Sequence, residues 1–130
     1  MSSHPPIDQT LVFTYTNDLD AASAFFKDVM EFEFVVDQGC CHIFRMTDAS
    51  FIGVCDLPGR PTGKTALTIT IVSNAVDEWY DFLTAKGIEY QKPPGHSDKF
   101  GVYSSLFISP HGYRIEIQHF DDPDWHLRRL

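Results

Sequence analysis

Apolar and polar residues alternate in short runs along most of the chain, and the runs come in two similar sets. Leu11-Val12-Phe13-Thr14-Tyr15-Thr16 is β-branched and aromatic and predicts a strand. Asn17-Asp18-Leu19-Asp20 stops it and offers helix N-caps. Over residues 21–30 the period changes. Ala22, Phe25, Phe26, Val29 and Met30 form one helical stripe, closed by Glu31 where a glycine might be expected. Three short strands follow, over 33–36, 41–46 and 49–54. They are broken at Asp37-Gln38-Gly39 and Thr47-Asp48, and spacing this short predicts antiparallel hairpins. Residues 57–64 are dense in proline and glycine and read as a linker.

The pattern then restarts. Residues 65–71 alternate, with Leu67, Ile69 and Ile71 inward. Ser73-Asn74 caps a helix that carries Val76, Tyr80 and Leu83 on its inner face and ends at Gly87. Trp79 and Phe82 flank that face, either as a subunit contact or as partly buried helix-edge residues. Ile88-Glu89-Tyr90 opens a strand, residues 92–99 read as a loop, and 103–108 and 113–119 form a final hairpin. Its turn is Ser109-Pro110-His111-Gly112. Beyond it Tyr113, Ile115 and Ile117 share one face, and Arg114, Glu116 and Gln118 the other. The order is β-α-β-β-β twice, over about 10–56 and 65–119, with a period of about 55 residues. We expect a single α+β domain spanning 1–130, built of two like modules.

Composition narrows the function. The 130 residues are 43% hydrophobic, enough for a core, and no apolar run is long enough to span a membrane. The net charge of -8, with no basic cluster, argues against a nucleic-acid partner. The amino terminus lacks a basic-then-apolar signal, so a cytoplasmic location is expected. Cys40, Cys41 and Cys55 are odd in number and lack metal-ligand spacing, and are read as reduced thiols. Aromatic residues make up 14% of the chain, with 11 phenylalanines, a surplus that can line an apolar pocket as well as fill a core.

This order, together with Asn17-Asp18-Leu19-Asp20-Ala21-Ala22-Ser23-Ala24-Phe25-Phe26 (close to DLxxAxxFY), Ala85-Lys86-Gly87-Ile88 and Ser109-Pro110-His111-Gly112-Tyr113-Arg114-Ile115-Glu116 (close to DPxGxxxE), resembles the glyoxalase/bleomycin-resistance/dioxygenase proteins, the vicinal oxygen chelate superfamily. The resemblance covers roughly residues 10–120. It implies sheets curled into a cup with helices outside, and a homodimer. In the metal-dependent members it implies a divalent ion held by a His or Gln on the first strand, a His on the second module's first strand and a Glu on the last.

Carried over residue by residue, the Glu falls on Glu116. The first-strand ligand falls on Leu11, or on Phe13 in a shifted register. The third falls on Thr68, or on Ala66. Only Glu116 can ligate such a metal well. Of the six histidines, His42 is the candidate for a rebuilt site with Glu116; otherwise no cofactor is expected. Without a metal the cup offers an aromatic wall of Leu11, Phe13 and Tyr15 facing a polar ladder of Arg114, Glu116 and Gln118, with Ala66, Thr68 and Thr70 across from these. Two readings stay open. One is a metal-free small-molecule-binding protein, similar to bleomycin-resistance proteins that sequester a drug, with a cationic or aromatic ligand. The other is a lyase, isomerase or dioxygenase in which Glu116 acts with a metal or as a general base.

Overall fold

A computed structural model describes residues 4–62 and 67–127 of the chain. The chain folds as two compact units, Met1–Gly63 and Lys64–Leu130.

The first unit carries β1 (Thr10–Tyr15), α1 (Leu19–Ala24), β2 (Glu33–Asp37), β3 (Cys41–Thr47) and β4 (Ser50–Cys55), in the sheet order β1-β4-β3-β2. The expected hairpins are present: β2–β3 and β3–β4 are antiparallel, while β1 runs parallel to β4. Asp18 caps α1 by accepting from the Ala21 N–H at 3.1 Å. The helix then widens into a π-helical segment, Phe25–Val29. Its wider turn closes through Met30 N–H to the Phe25 carbonyl (3.0 Å), and Phe32 N–H bonds the Phe26 carbonyl (2.9 Å) across the helix end. Glu31 takes the left-handed conformation, φ 58°, that glycine usually supplies at a helix end. Ala22, Phe25, Phe26 and Met30 are buried, so the predicted stripe is the packed one. Phe26, Phe34 and Phe44 form its aromatic centre, with ring centroids 5.7 Å apart for Phe26–Phe44 and 5.1 Å for Phe34–Phe44.

The cysteines differ from expectation. Cys41 and Cys55 stand opposite each other across β3 and β4 and form a disulfide, leaving only Cys40 as a free thiol among the described residues. The antiparallel register makes the pair, and spacing along the chain gave no sign of it. A bridge over a separation of 14 residues contributes about 3 kcal/mol in the chain-entropy account.

The second unit repeats the plan: β5 (Thr68–Val72), α2 (Val76–Ala85), β6 (Tyr90–Ser97), β7 (Val102–Ile108) and β8 (Arg114–Phe120), in the order β5-β8-β7-β6. Ala75 is the N-cap residue of α2, one position beyond the predicted Ser73-Asn74. Ser73 Oγ accepts from the Ala75 N–H at 3.0 Å, so the serine still braces the start of the helix. At the other end Gly87 (φ 90°) and Ile88 close a Schellman cap, their N–H groups bonding the Thr84 and Leu83 carbonyls at 3.0 Å. Trp79 and Phe82 meet edge to face at 5.4 Å and are partly buried, as expected of a helix edge.

A second difference concerns residues 92–99. They were expected as a loop, yet β6 runs through Pro93-Pro94-Gly95. It is an edge strand whose pairing with β7 shifts between Lys92 and Gly95. An edge strand tolerates prolines because it needs ladder bonds on one side only. The 57–64 linker is described only as far as Thr62; Gly63 and Lys64, like Ala66, lie outside the described residues.

Under α2 the rings of Tyr80, Tyr90 and Phe107 pack edge to face, at 4.8 and 5.3 Å. The Tyr90 hydroxyl is buried close to the Ser105 hydroxyl, with no hydrogen bond of good geometry among the described residues. Tyr90→Phe should therefore leave stability unchanged or raise it by up to about 1 kcal/mol in urea unfolding, because it removes a desolvated hydroxyl and keeps the ring. A loss above about 1 kcal/mol would show that the hydroxyl is well satisfied.

Candidate functional site

In β8 the predicted alternation holds. Tyr113, Ile115 and Ile117 are buried, at 3%, 1% and 0% exposure, while Arg114, Glu116 and Gln118 face away from that core. Residues paired across a sheet share a face, so the face bearing Glu116 can be traced strand by strand. Glu116 pairs with Thr70 on β5 and with Leu106 on β7, and Leu106 pairs with Lys92 on β6. The opposite face belongs to α2. There Tyr103 donates its hydroxyl to Asp77 Oδ1 in the first turn of α2, at 2.6 Å.

A pocket of about 460 Å³ opens on the Glu116 face. Lys92, Phe100, Ser104, Glu116, Gln118 and Phe120 carry its chemistry. Of the predicted residues it gathers Glu116 and Gln118. Arg114 and Thr68 stand one row away, where Arg114 Nε donates to Thr68 Oγ1 at 3.3 Å. Glu116 instead accepts from Thr70 Oγ1 at 3.0 Å. Arg114 and Glu116 thus each bond across β5 and β8 to the residue directly opposite.

The pocket's edges are held in place. Phe120 stacks on Trp125 of the tail, with centroids 4.2 Å apart and planes at 18°. His96 Nε2 lies 2.7 Å from Asp121 Oδ2, and its Nδ1 lies 3.1 Å from Asp98 Oδ1. These contacts tie the turn that carries Phe100 to the end of β8. The Asp121 carboxylate, with Asp98 assisting, raises the His96 pKa above its ordinary value. This tie is therefore present below the ordinary imidazole range and is lost as pH rises through the raised value.

Leu11, Phe13 and Tyr15 belong to the first unit and share one face of β1. Leu11 is 40% and Phe13 37% exposed. Phe13 pairs with Gly53 on β4. A Cβ at Gly53 would come within 2.6 Å of Phe13 Cδ1, so the ring rests in the space a side chain would otherwise fill. The Arg60 guanidinium lies 5.8 Å from the Tyr15 ring centroid.

His42 is on the other face of this sheet. It pairs with Val54, which pairs with the buried Thr14. Its Nδ1 is 2.8 Å from Ser23 Oγ on α1, and its Nε2 is 3.4 Å from Asp37 Oδ1. Both ring nitrogens thus have partners within the first unit, on the face opposite Phe13.

The superfamily's metal site can be tested against these donors. Leu11 and Phe13 offer none, Thr68 pairs with Arg114, and the residue in register with Glu116 is Thr70, a neutral hydroxyl. Among the described residues no three His, Cys, Asp or Glu side chains come together as a metal-holding group. This donor set does not fit a divalent transition ion.

Sequence reasoning missed Lys92, Phe100, Ser104 and Phe120. Lys92 was hidden by the loop reading of β6. Ser104 was legible in principle, since it alternates with Tyr103 and Ser105 on a recognised strand.

Two β-α-β-β-β modules thus follow one another in the chain, the second bearing Glu116 on its last strand. A family model for the glyoxalase/bleomycin resistance protein/dioxygenase superfamily matches residues 7–117, and the chain belongs to that superfamily. Among curated proteins nothing matches. Solved structures share the fold. The lactoylglutathione lyase of Agrobacterium tumefaciens is 24% identical, with a TM-score of 0.71 over 89% of this chain and 96% of that one. A glyoxalase/bleomycin resistance protein/dioxygenase from Nocardioides is 18% identical, with a TM-score of 0.75 over 94% and 88%. A superfamily member from Sphaerobacter thermophilus is 20% identical, with a TM-score of 0.73 over 85% and 95%.

Proposed function

We propose that this chain is a small-molecule-binding member of the superfamily that works without a resident metal, and that the ligand sits on the Glu116 face of the second sheet. The observation that carries this reading is the partner of Glu116. A threonine hydroxyl occupies the register position beside the carboxylate, where a metal-dependent site would need a nitrogen donor.

The pocket suits an aromatic ligand with a cationic or hydrogen-bond-donating group. Phe100 and Phe120 supply apolar and stacking surface, Glu116 supplies negative charge, and Gln118 and Ser104 orient polar groups. Lys92 sets an opposite charge at the other end of the Glu116 row and favours a ligand that is polar at both ends. A homodimer completes the proposal, on the strength of the superfamily resemblance.

Benzylammonium is a suitable first probe, read by the fluorescence of Trp125 stacked beside the pocket. Saturable binding should weaken about tenfold or more in Glu116→Gln, the loss of roughly 1.4 kcal/mol or more expected when a charge-assisted contact goes. Equal affinity in both proteins would place the ligand elsewhere.

A further inference from the structure

The first unit holds three sulfurs at one end of β3 and β4. Cys41 and Cys55 form the disulfide and are buried, at 8% and 2% exposure. Cys40 is exposed and free, and its Sγ lies 3.9 Å from Cys41 Sγ. Cys55 also pairs with Tyr15 across β1 and β4, so the bridge stands beside the aromatic row of the first sheet. A thiol in solution can reach Cys40 far more readily than either bridged sulfur, and thiol–disulfide exchange requires a thiolate at contact distance from the sulfur it attacks.

We propose that Cys40 is the exchange site through which the buried Cys41–Cys55 disulfide is opened by small-molecule thiols. The Cys40 thiolate attacks Cys41 Sγ. A Cys40–Cys41 bond forms, the Cys41–Cys55 bond breaks, and the electron pair leaves on Cys55 Sγ, which takes up a proton. A monothiol of the glutathione class then attacks Cys40. This gives a mixed disulfide at Cys40 and a free Cys41 thiol. A second monothiol releases Cys40 as its thiol and leaves as the oxidised dimer of the reagent. In sum, the protein disulfide gains two electrons and two protons, and two monothiols are oxidised to one disulfide. Cys40 is thereby also a modification site, carrying the small thiol between the two steps.

The test uses the full chain and reduced glutathione. The oxidised protein is incubated with glutathione under native conditions, quenched by alkylation, and its thiols counted by mass spectrometry over time. In the native protein glutathione should appear on Cys40, and Cys41 and Cys55 should become alkylatable. In Cys40→Ser and Cys40→Ala the opening of the bridge should slow about tenfold or more, because only the buried sulfurs remain to be attacked. In urea sufficient to unfold all three proteins, the variants should be reduced as fast as the native chain, which separates lost access from an altered bond. Equal rates for native and variant proteins in the folded state would overturn the proposal. So would three alkylatable thiols in the native chain after air oxidation.

Discussion

Phe44→Ala is expected to cost about 3–5 kcal/mol. Phe44 is 0% exposed. Its ring lies between Phe26 on the π-helical segment and Phe34 on β2, so alanine would leave a void bounded by the helix and the sheet. Neighbouring rings are held by their own helix and strand and can close that void only in part. Phe44→Leu keeps most of the volume and should cost under about 1.5 kcal/mol. Phe100, 71% exposed, supplies the contrast, since Phe100→Ala should fall within about 0.5 kcal/mol of the native chain. Urea unfolding of the three variants checks the ranking. A Phe44→Ala loss below about 1 kcal/mol would mean that this aromatic centre is not packed as described.

The second large effect is set by pH. His111 sits in the turn between β7 and β8, with Nδ1 2.9 Å from Ser109 Oγ and its ring 4.9 Å from that of Tyr113. Burial pushes its pKa down to about 4 from 6.5. The folded chain therefore keeps this imidazole neutral over a range in which the unfolded chain protonates it. Below pH 6.5 the unfolded state binds the extra proton, so stability falls as pH falls, and the loss levels off below about pH 4. At about 1.36 kcal/mol per unit the loss is at most about 3 kcal/mol. Carboxylates titrate in part of the same window, so the quantity to compare is the difference between native and His111→Gln chains. The variant should lose less stability between pH 6.5 and 4. Parallel curves would show that this histidine does not titrate differently on folding.

Much of the fold was legible because alternation and helical spacing are local signals. β8 could be read residue by residue, with Ile115 and Ile117 in and Glu116 and Gln118 out. The π-helical segment escaped notice because its buried residues also fit an ordinary helical stripe. β6 was misread because Pro93, Pro94 and Gly95 carry turn chemistry, and only the strand's place at a sheet edge lets them remain in it. Pairings across strands were the least legible feature. That Thr70 pairs with Glu116, that Gly53 seats Phe13, and that Cys41 meets Cys55 all depend on register. A one-residue or two-residue slip changes each pairing without changing any strand's own pattern. The candidate site was thus half readable: its carboxylate was visible from the motif, and its surroundings were not.

Glu116 is proposed to act without a metal ion, and retention of metal tests that most directly. The purified chain and Glu116→Gln would each be equilibrated with zinc, manganese, nickel and ferrous iron, freed of unbound ion, and assayed for metal per chain. Far less than one ion per chain is the expected result in both proteins. One ion per native chain, lost in Glu116→Gln, would contradict it.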